Sequence, residues 1–196
     1  MARRAAADTR ERILVTAARL FGDKGVHAVG LQQIIEAAGC GKNLLYREFP
    51  SKDVLVTAYL ERCREDWTET LRETAAATNT PAEQIVAVVK AIAERATAPG
   101  TRGCALRNTF AEFPEQSHPA HQVAVEHFTQ MRRQLHELAQ RADAHDPQLL
   151  GDRIMLIIDG LYTNGAIFGT AGAAAAAIAF AEEVVAAQTT TSTVVA

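Results

Sequence analysis

AGCGKNLLYREFPSK, residues 38–52, is the stretch on which the reading of this chain turns. Gly39, Gly41 and Pro50 interrupt helix at three points, and a short helical piece from Lys42 to Glu48 stands between the last two. A helix this short buries little of itself and must be held by its neighbours. Leu45 and Phe49, at i and i+4, are the residues with which it docks. With an advance of about 100° per residue, Lys42, Asn43, Tyr46 and Arg47 then cover the opposite, exposed face.

The flanking sequence supplies the rest of a small bundle. Residues 31–38 predict a short helix with Leu31, Ile34, Ile35 and Ala38 facing inward, and Gly39-Cys40-Gly41 forms the turn after it. Residues 9–24 predict the first helix, with Ile13, Ala17, Leu20 and Phe21 on one stripe. Asp8 and Glu11 read as its capping box, and Gly22 and Gly25 mark its end. The second and third helices have the shape of a helix-turn-helix, whose second helix presents its first residues to base edges in the major groove. Lys42 can donate to guanine and Asn43 can pair bidentately with adenine. The Tyr46 hydroxyl and the N–H groups at Gly41 and Lys42 suit phosphate oxygens, and Ser51 and Lys52 open the next helix near the same backbone. On pattern alone, a solvated face on an ordinary helical hairpin stays open as the alternative.

The whole chain has 196 residues, of which 48% are hydrophobic, much of that alanine. Ala, Leu, Glu, Gln and Arg outweigh Val, Thr and Tyr, which favours helix. A long helix runs from Ser51 to about Ala77. Thr80-Pro81-Ala82-Glu83 combines a cap, an N1 proline and an N3 glutamate ahead of a helix burying Ile85, Val89, Ile92 and Ala96. A short helix follows over 101–113. One opened by Ser117-His118-Pro119 carries a seam of Ala124, Phe128, Met131, Leu135, Leu138 and Ala142. Asp146-Pro147 starts another, to about Phe168, and Gly172 to Gln188 is the last. No alternating strand run of useful length occurs, so the expectation is an all-α fold of about nine helices. Residues 1–52 are expected to form a DNA-binding helix-turn-helix domain, 53–188 an effector-binding and dimerisation domain, and 189–196 a frayed tail.

Charge follows the same division. Residues 1–52 carry nine Lys and Arg against five acids, a net +4, whereas the remainder nets −7 within an overall −3. A basic head on an acidic body suggests that the head meets a polyanion. Cys40, Cys63 and Cys104 form no close pair and no secretory signal opens the chain, so a reduced cytoplasm is expected. Asp159, Asn164 and several glycines interrupt the weakly polar run 154–181, which argues against a membrane span.

Thr9-Arg-Glu-Arg-Ile13, Ala17-Ala-Arg-Leu-Phe21, Gly25, Ile34, Ala37-Ala-Gly39, Leu45-Tyr46, Phe49 and Ser51-Lys52 together resemble the N-terminal domain of the TetR family of bacterial transcriptional regulators. The resemblance covers about residues 9–60, and AAGCGKNLLYREFPSK carries most of it. It implies a homodimer with one head per subunit on a palindromic double-stranded DNA operator. It places Gln32, Lys42 and Asn43 on bases, and Tyr46 and Lys52 on phosphate. Where the family often has Ser or Thr, this chain has Gly30, Gly41 and Leu44, so hydroxyl contacts to phosphate are missing. Leu44 can pack on a thymine methyl instead. Glu48 is expected to turn away or pair with Arg47, and Arg3 and Arg4 lie on a tail able to reach phosphate or the minor groove.

The body has to account for dimerisation and regulation. The helix 147–168 is apolar nearly all round from Ile154 onward, so it is expected to be buried on more than one side, and the helix 172–188 is alanine-rich. Two such helices per subunit predict an intersubunit four-helix bundle, which the resemblance also implies. The remaining helices can enclose a small, largely apolar effector, with Tyr59, Cys63, Trp67, Phe110, Phe128, Met131, Met155 and Tyr162 as lining and Asn108 and Asp159 as polar anchors. In the family, effector binding shifts the helix starting at Ser51 and so releases the operator. No cofactor is expected. No GxxxxGK[ST], GxSxG or HExxH pattern occurs, which argues against an enzyme. Metal sensing through His118, His121 and Glu115 is weaker than solvated surface histidines, and redox sensing through Cys40 is weaker than a small buried side chain. A plain helical interaction module is the remaining alternative.

Overall fold

The structure, a computed structural model, describes residues 2–189, with side chains from Asp8 onward. The side chains of Arg3 and Arg4, and residues 190–196 of the expected tail, lie outside the described residues. Within them there are nine helices and no strand: α1 (Ala2–Lys24), α2 (Leu31–Ala38), α3 (Lys42–Glu48), α4 (Lys52–Ala77), α5 (Pro81–Ala96), α6 (Ala105–Glu112), α7 (Pro119–Arg141), α8 (Pro147–Phe168) and α9 (Ala173–Thr189). The expected all-α class holds, and α2 and α3 have the expected bounds.

Two ends differ. α1 begins at Ala2, so Asp8 lies inside the helix and caps nothing. The alanine-rich run before Asp8 is strong helix former and carries the helix past the polar pair. Thr189, assigned to the tail, is the last residue of α9.

The chain forms two compact units. The first comprises Met1–Glu65 and Ala105–His127, and so takes in α6 and the start of α7 as well as the first three helices. Its core is built from Ile13, Ala17, Leu20, Phe21, Ile34, Leu45, Phe49, Leu55 and Leu60. Leu45 and Phe49 are fully buried, which contributes roughly 1.5–3 kcal/mol each to holding α3. Gly39 ends α2 in the left-handed region, at φ 60°, where a residue without Cβ is favoured. Its N–H and that of Cys40 donate to Glu36 and Ile35 carbonyls, closing the turn that releases α3 at an angle. Ile34 and Ala38 are buried as expected, whereas Leu31 and Ile35 are only half-buried.

The second unit comprises Asp66–Cys104 and Phe128–Ala196, in which α5, α8 and α9 pack mutually. The capping box at the start of α5 forms as expected: Thr80 accepts from the Glu83 N–H and the Glu83 carboxylate accepts from the Thr80 N–H. Asp146 caps α8 by accepting from the Leu149 N–H. Its apolar core includes Ile85, Val89, Ile92, Ala96, Leu135, Leu138, Leu150, Ile154 and Leu161. α8 is not buried all round within one chain. Leu156 is 70% exposed, and Ile167, Phe168 and, on α9, Phe180 are also open.

Candidate nucleic-acid interface

α3 is anchored from below by Leu45 and Phe49, which leaves Lys42, Asn43, Tyr46 and Arg47 exposed on its outer face. The Lys42 ammonium lies 5.9 Å from the centre of the Tyr46 ring, one turn on, so the two form a stacked pair along that face. Leu44 is half-buried, and Gln32 is exposed at the start of α2. Gly30 and Gly41 stand at the N-caps of α2 and α3, and neither helix has a side-chain cap bond. Where Ser or Thr would occupy the first N–H groups, glycine leaves them to an outside acceptor, which fits phosphate.

Several polar side chains of this face are already engaged. Arg47 donates through Nε and Nη2 to Glu48 Oε1, at 3.0 and 2.9 Å, which is the pairing expected for Glu48. Gln32 Nε2 donates to Glu36 Oε1 at 2.9 Å, an i,i+4 pair that orients the amide. Lys52 is half-buried, and burial lowers its pKa while the nearby Glu112 and Asp53 act in the opposite sense. Arg10 was not among the expected site residues, yet its guanidinium sits 4.7 Å over the Phe49 ring. Its spacing of three from buried Ile13 was the available signal.

A second polar centre was also missed from sequence. The Glu112 carboxylate accepts from the Val26 and His27 N–H groups at 3.1 and 2.6 Å, and His27 Nε2 donates to the Glu112 carbonyl at 2.8 Å. Phe113 lies between two imidazoles, 4.6 Å from His27 and 4.3 Å from His118. His118 and His121 are not the solvated surface pair expected. His118 is half-buried, and buried His121 stacks near Phe110 and donates from Nδ1 to the Phe113 carbonyl. No local pattern marks contacts made across some 85 residues of chain.

The expected effector-lining residues divide between the units. Tyr59, Cys63, Asn108 and Phe110 belong to the first. Tyr59 is buried with its ring 5.4 Å from Phe21, Phe110 is exposed, and Cys63 and Asn108 are half-buried. Trp67, Phe128, Met131, Met155, Asp159 and Tyr162 belong to the second. Trp67 and Met131 are core residues there, and Trp67 Nε1 donates to Gln134 Oε1 at 2.8 Å. Phe128, Met155 and Tyr162 pack against that core, and Asp159 is half-buried rather than enclosed. Cys40 is half-buried in its turn. On α8 and α9, Leu156, Ile157, Leu161, Ala173, Ala177 and Phe180 line an open apolar groove of about 600 Å³.

No described helix is long and apolar enough to cross a membrane. Residues 13–59 match the family described as bacterial regulatory proteins, tetR family, and residues 81–181 match the tetracyclin repressor-like C-terminal domain. The chain is similar to SCO4454, a TetR-family transcriptional regulator from Streptomyces coelicolor. The two are 28% identical with a TM-score of 0.89, over 94% of this chain and 97% of that one. It is 28% identical over 181 residues to the HTH-type transcriptional regulator BetI from Brucella anthropi, covering 91% of this chain and 93% of BetI. It is also 32% identical over 84 residues to the HTH-type transcriptional activator FasR from Mycolicibacterium smegmatis. That match takes in 43% of this chain and only 38% of FasR's length.

Proposed function

Because the chain belongs to the TetR family of bacterial regulatory proteins, we propose that it is a homodimeric repressor, released from a palindromic operator by a small, largely apolar ligand. The observation that carries the reading is the α3 face. Lys42, Asn43, Tyr46 and Arg47 are exposed on a helix whose only deep anchors are Leu45 and Phe49. Lys42 and Asn43 read base edges with Gln32, while Tyr46, Lys52 and the N-terminal N–H groups at Gly41 hold phosphate. Leu44 meets a thymine methyl, and Arg47 reaches phosphate by leaving Glu48. The reading surface lies within residues 1–52, and residues 53–188 serve effector binding and dimerisation.

Dimerisation is supported by the apolar groove on α8 and α9 and by open Leu156, Ile167, Phe168 and Phe180. An exposed apolar groove of this size is costly to leave in water. A second copy of the same two helices covers it and sets two heads to meet successive major grooves, roughly 34 Å apart. Effector release is supported by the aromatic and thioether side chains of Trp67, Phe128, Met131, Met155 and Tyr162, gathered at the second unit's core with Asp159 on the same helix as Met155.

Selection of bound duplexes from a random pool, at about 0.15 M salt, tests the reading. Wild-type protein is expected to enrich a palindrome, and the Lys42→Ala, Asn43→Ala, Tyr46→Ala triple variant to lose it while keeping its fold. Equal enrichment by both proteins would remove α3 from recognition. An operator complex that no class of small apolar molecule dissociates would remove the release step.

A further inference from the structure

We propose that Glu112 is a positioning residue for DNA recognition, acting through the turn between α1 and α2. The inference rests on the DNA-binding reading above and names a residue outside the helix-turn-helix on which that reading depends. Its carboxylate accepts two consecutive backbone N–H groups, Val26 at 3.1 Å and His27 at 2.6 Å. Val26 is buried, so its N–H needs an acceptor inside the protein, and a charged acceptor makes a stronger bond than a neutral one. The contact is returned. His27 Nε2 donates to the Glu112 carbonyl, one of the C-terminal α6 oxygens that the helix itself leaves unpaired.

The surrounding side chains fix that end of α6 on three more sides. Phe113 is buried between the His27 and His118 rings. His118 Nε2 lies 3.6 Å from Asp53 Oδ1 at the start of α4, and His121 at the start of α7 donates to the Phe113 carbonyl. The end of α6 thus joins the α1–α2 turn, α4 and α7. Only Ala28, Val29 and Gly30 separate His27 from the first residue of α2, and Val29 is fully buried. So short and pinned a connection has little slack, and where Glu112 holds Val26 and His27 decides where α2 and Gln32 begin. The Glu112 carboxylate thus ties the end of α6 to this turn through two backbone N–H groups.

Full-length wild type, Glu112→Ala and Glu112→Gln distinguish positioning from simple support of the fold. Glutamine keeps one acceptor oxygen for one of the two N–H groups and is the conservative variant. Two measurements are made: amide hydrogen exchange along the chain, and the ratio of affinities for the selected palindrome and an unrelated duplex. In Glu112→Ala, exchange over residues 26–38 is expected to rise about tenfold, with α5 and α8 unchanged. The affinity ratio is expected to fall about tenfold, while binding to the unrelated duplex stays the same. Glu112→Gln is expected to fall between the two. Unchanged exchange at 26–38, or an unchanged ratio in a folded variant, overturns the proposal. Loss of protection throughout both variants also overturns it, because Glu112 then supports the fold as a whole. Should wild type select no duplex, the DNA-binding reading fails, and the exchange measurement still decides whether Glu112 holds the turn.

Discussion

His127 is 6% exposed, and burial first, then the charge of Arg64, lowers its pKa from 6.5 to about 4. Arg64 is itself held by Glu61 and Glu126, at 3.1 and 3.3 Å. The unfolded chain takes up a proton at this imidazole that the folded chain refuses. Stability is therefore complete above about pH 6.5 and falls as the pH drops towards 4. One proton sets a slope of about 1.4 kcal/mol per pH unit, so the loss between pH 6.5 and 5 is at most about 2 kcal/mol. Urea melts at pH 7 and pH 5 should show that loss in wild type and a smaller one in His127→Gln. Equal losses would assign the acid sensitivity to other groups. At this scale the sequence disclosed chemistry that is local. Lys42, Asn43, Tyr46 and the Arg47–Glu48 pair lie within seven residues, and their exposure followed from helical spacing. Arg10 over Phe49, Glu112 on Val26 and buried His121 depend on which distant elements meet, which spacing does not encode.

Helix bounds were legible wherever the stop or cap is a single residue's chemistry. Gly39 ends α2, Thr80 with Glu83 starts α5, and Asp146 starts α8. The start of α1 was not, because Asp8 and Glu11 satisfy a capping pattern that a continuing alanine-rich helix ignores. Helix-on-helix contact was legible only as composition. Gly165 on α8 is one of the glycines that interrupt the run 154–181, but the sequence did not say what approaches it. A Cβ there would stand 2.4 Å from the Ala96 carbonyl oxygen and 2.8 Å from its carbon, both backbone atoms at the end of α5. Neither can step aside without separating the two helices. Gly165→Ala is expected to cost about 1–3 kcal/mol in a urea melt. Gly22→Ala, where a Cβ meets nothing within 4 Å, should instead stabilise by roughly 0.5–1 kcal/mol. The same small effect at both positions would mean that α5 and α8 can part at no cost.

For the whole molecule, the proposed dimer rests on the exposed apolar face of α8 and α9. Leu156 and Phe180 both line the groove and are 70% and 54% exposed in one chain. Placing a carboxylate on each should oppose burial between two copies by several kcal/mol. Leu156→Glu with Phe180→Glu is expected to sediment as a monomer and to lose palindrome binding while keeping its melting transition. A dimeric double variant would move the interface elsewhere. The sequence predicted both helices of this face, because a stretch apolar on nearly every side has to be covered by something.

The first unit is assembled from two pieces of chain that lie some forty residues apart in sequence. Both helices of the helix-turn-helix have been synthesised by residue 65, yet buried Leu106, Phe113, Ala120 and Ala124, and the acceptor for the Val26 N–H, come only with 105–127. On the ribosome the reading surface therefore waits, incomplete, while much of the second unit emerges. A messenger cut short after the first four helices would yield a polypeptide bearing the recognition sequence without the packing that presents it. A truncated product of that kind is expected to compete poorly for duplex DNA.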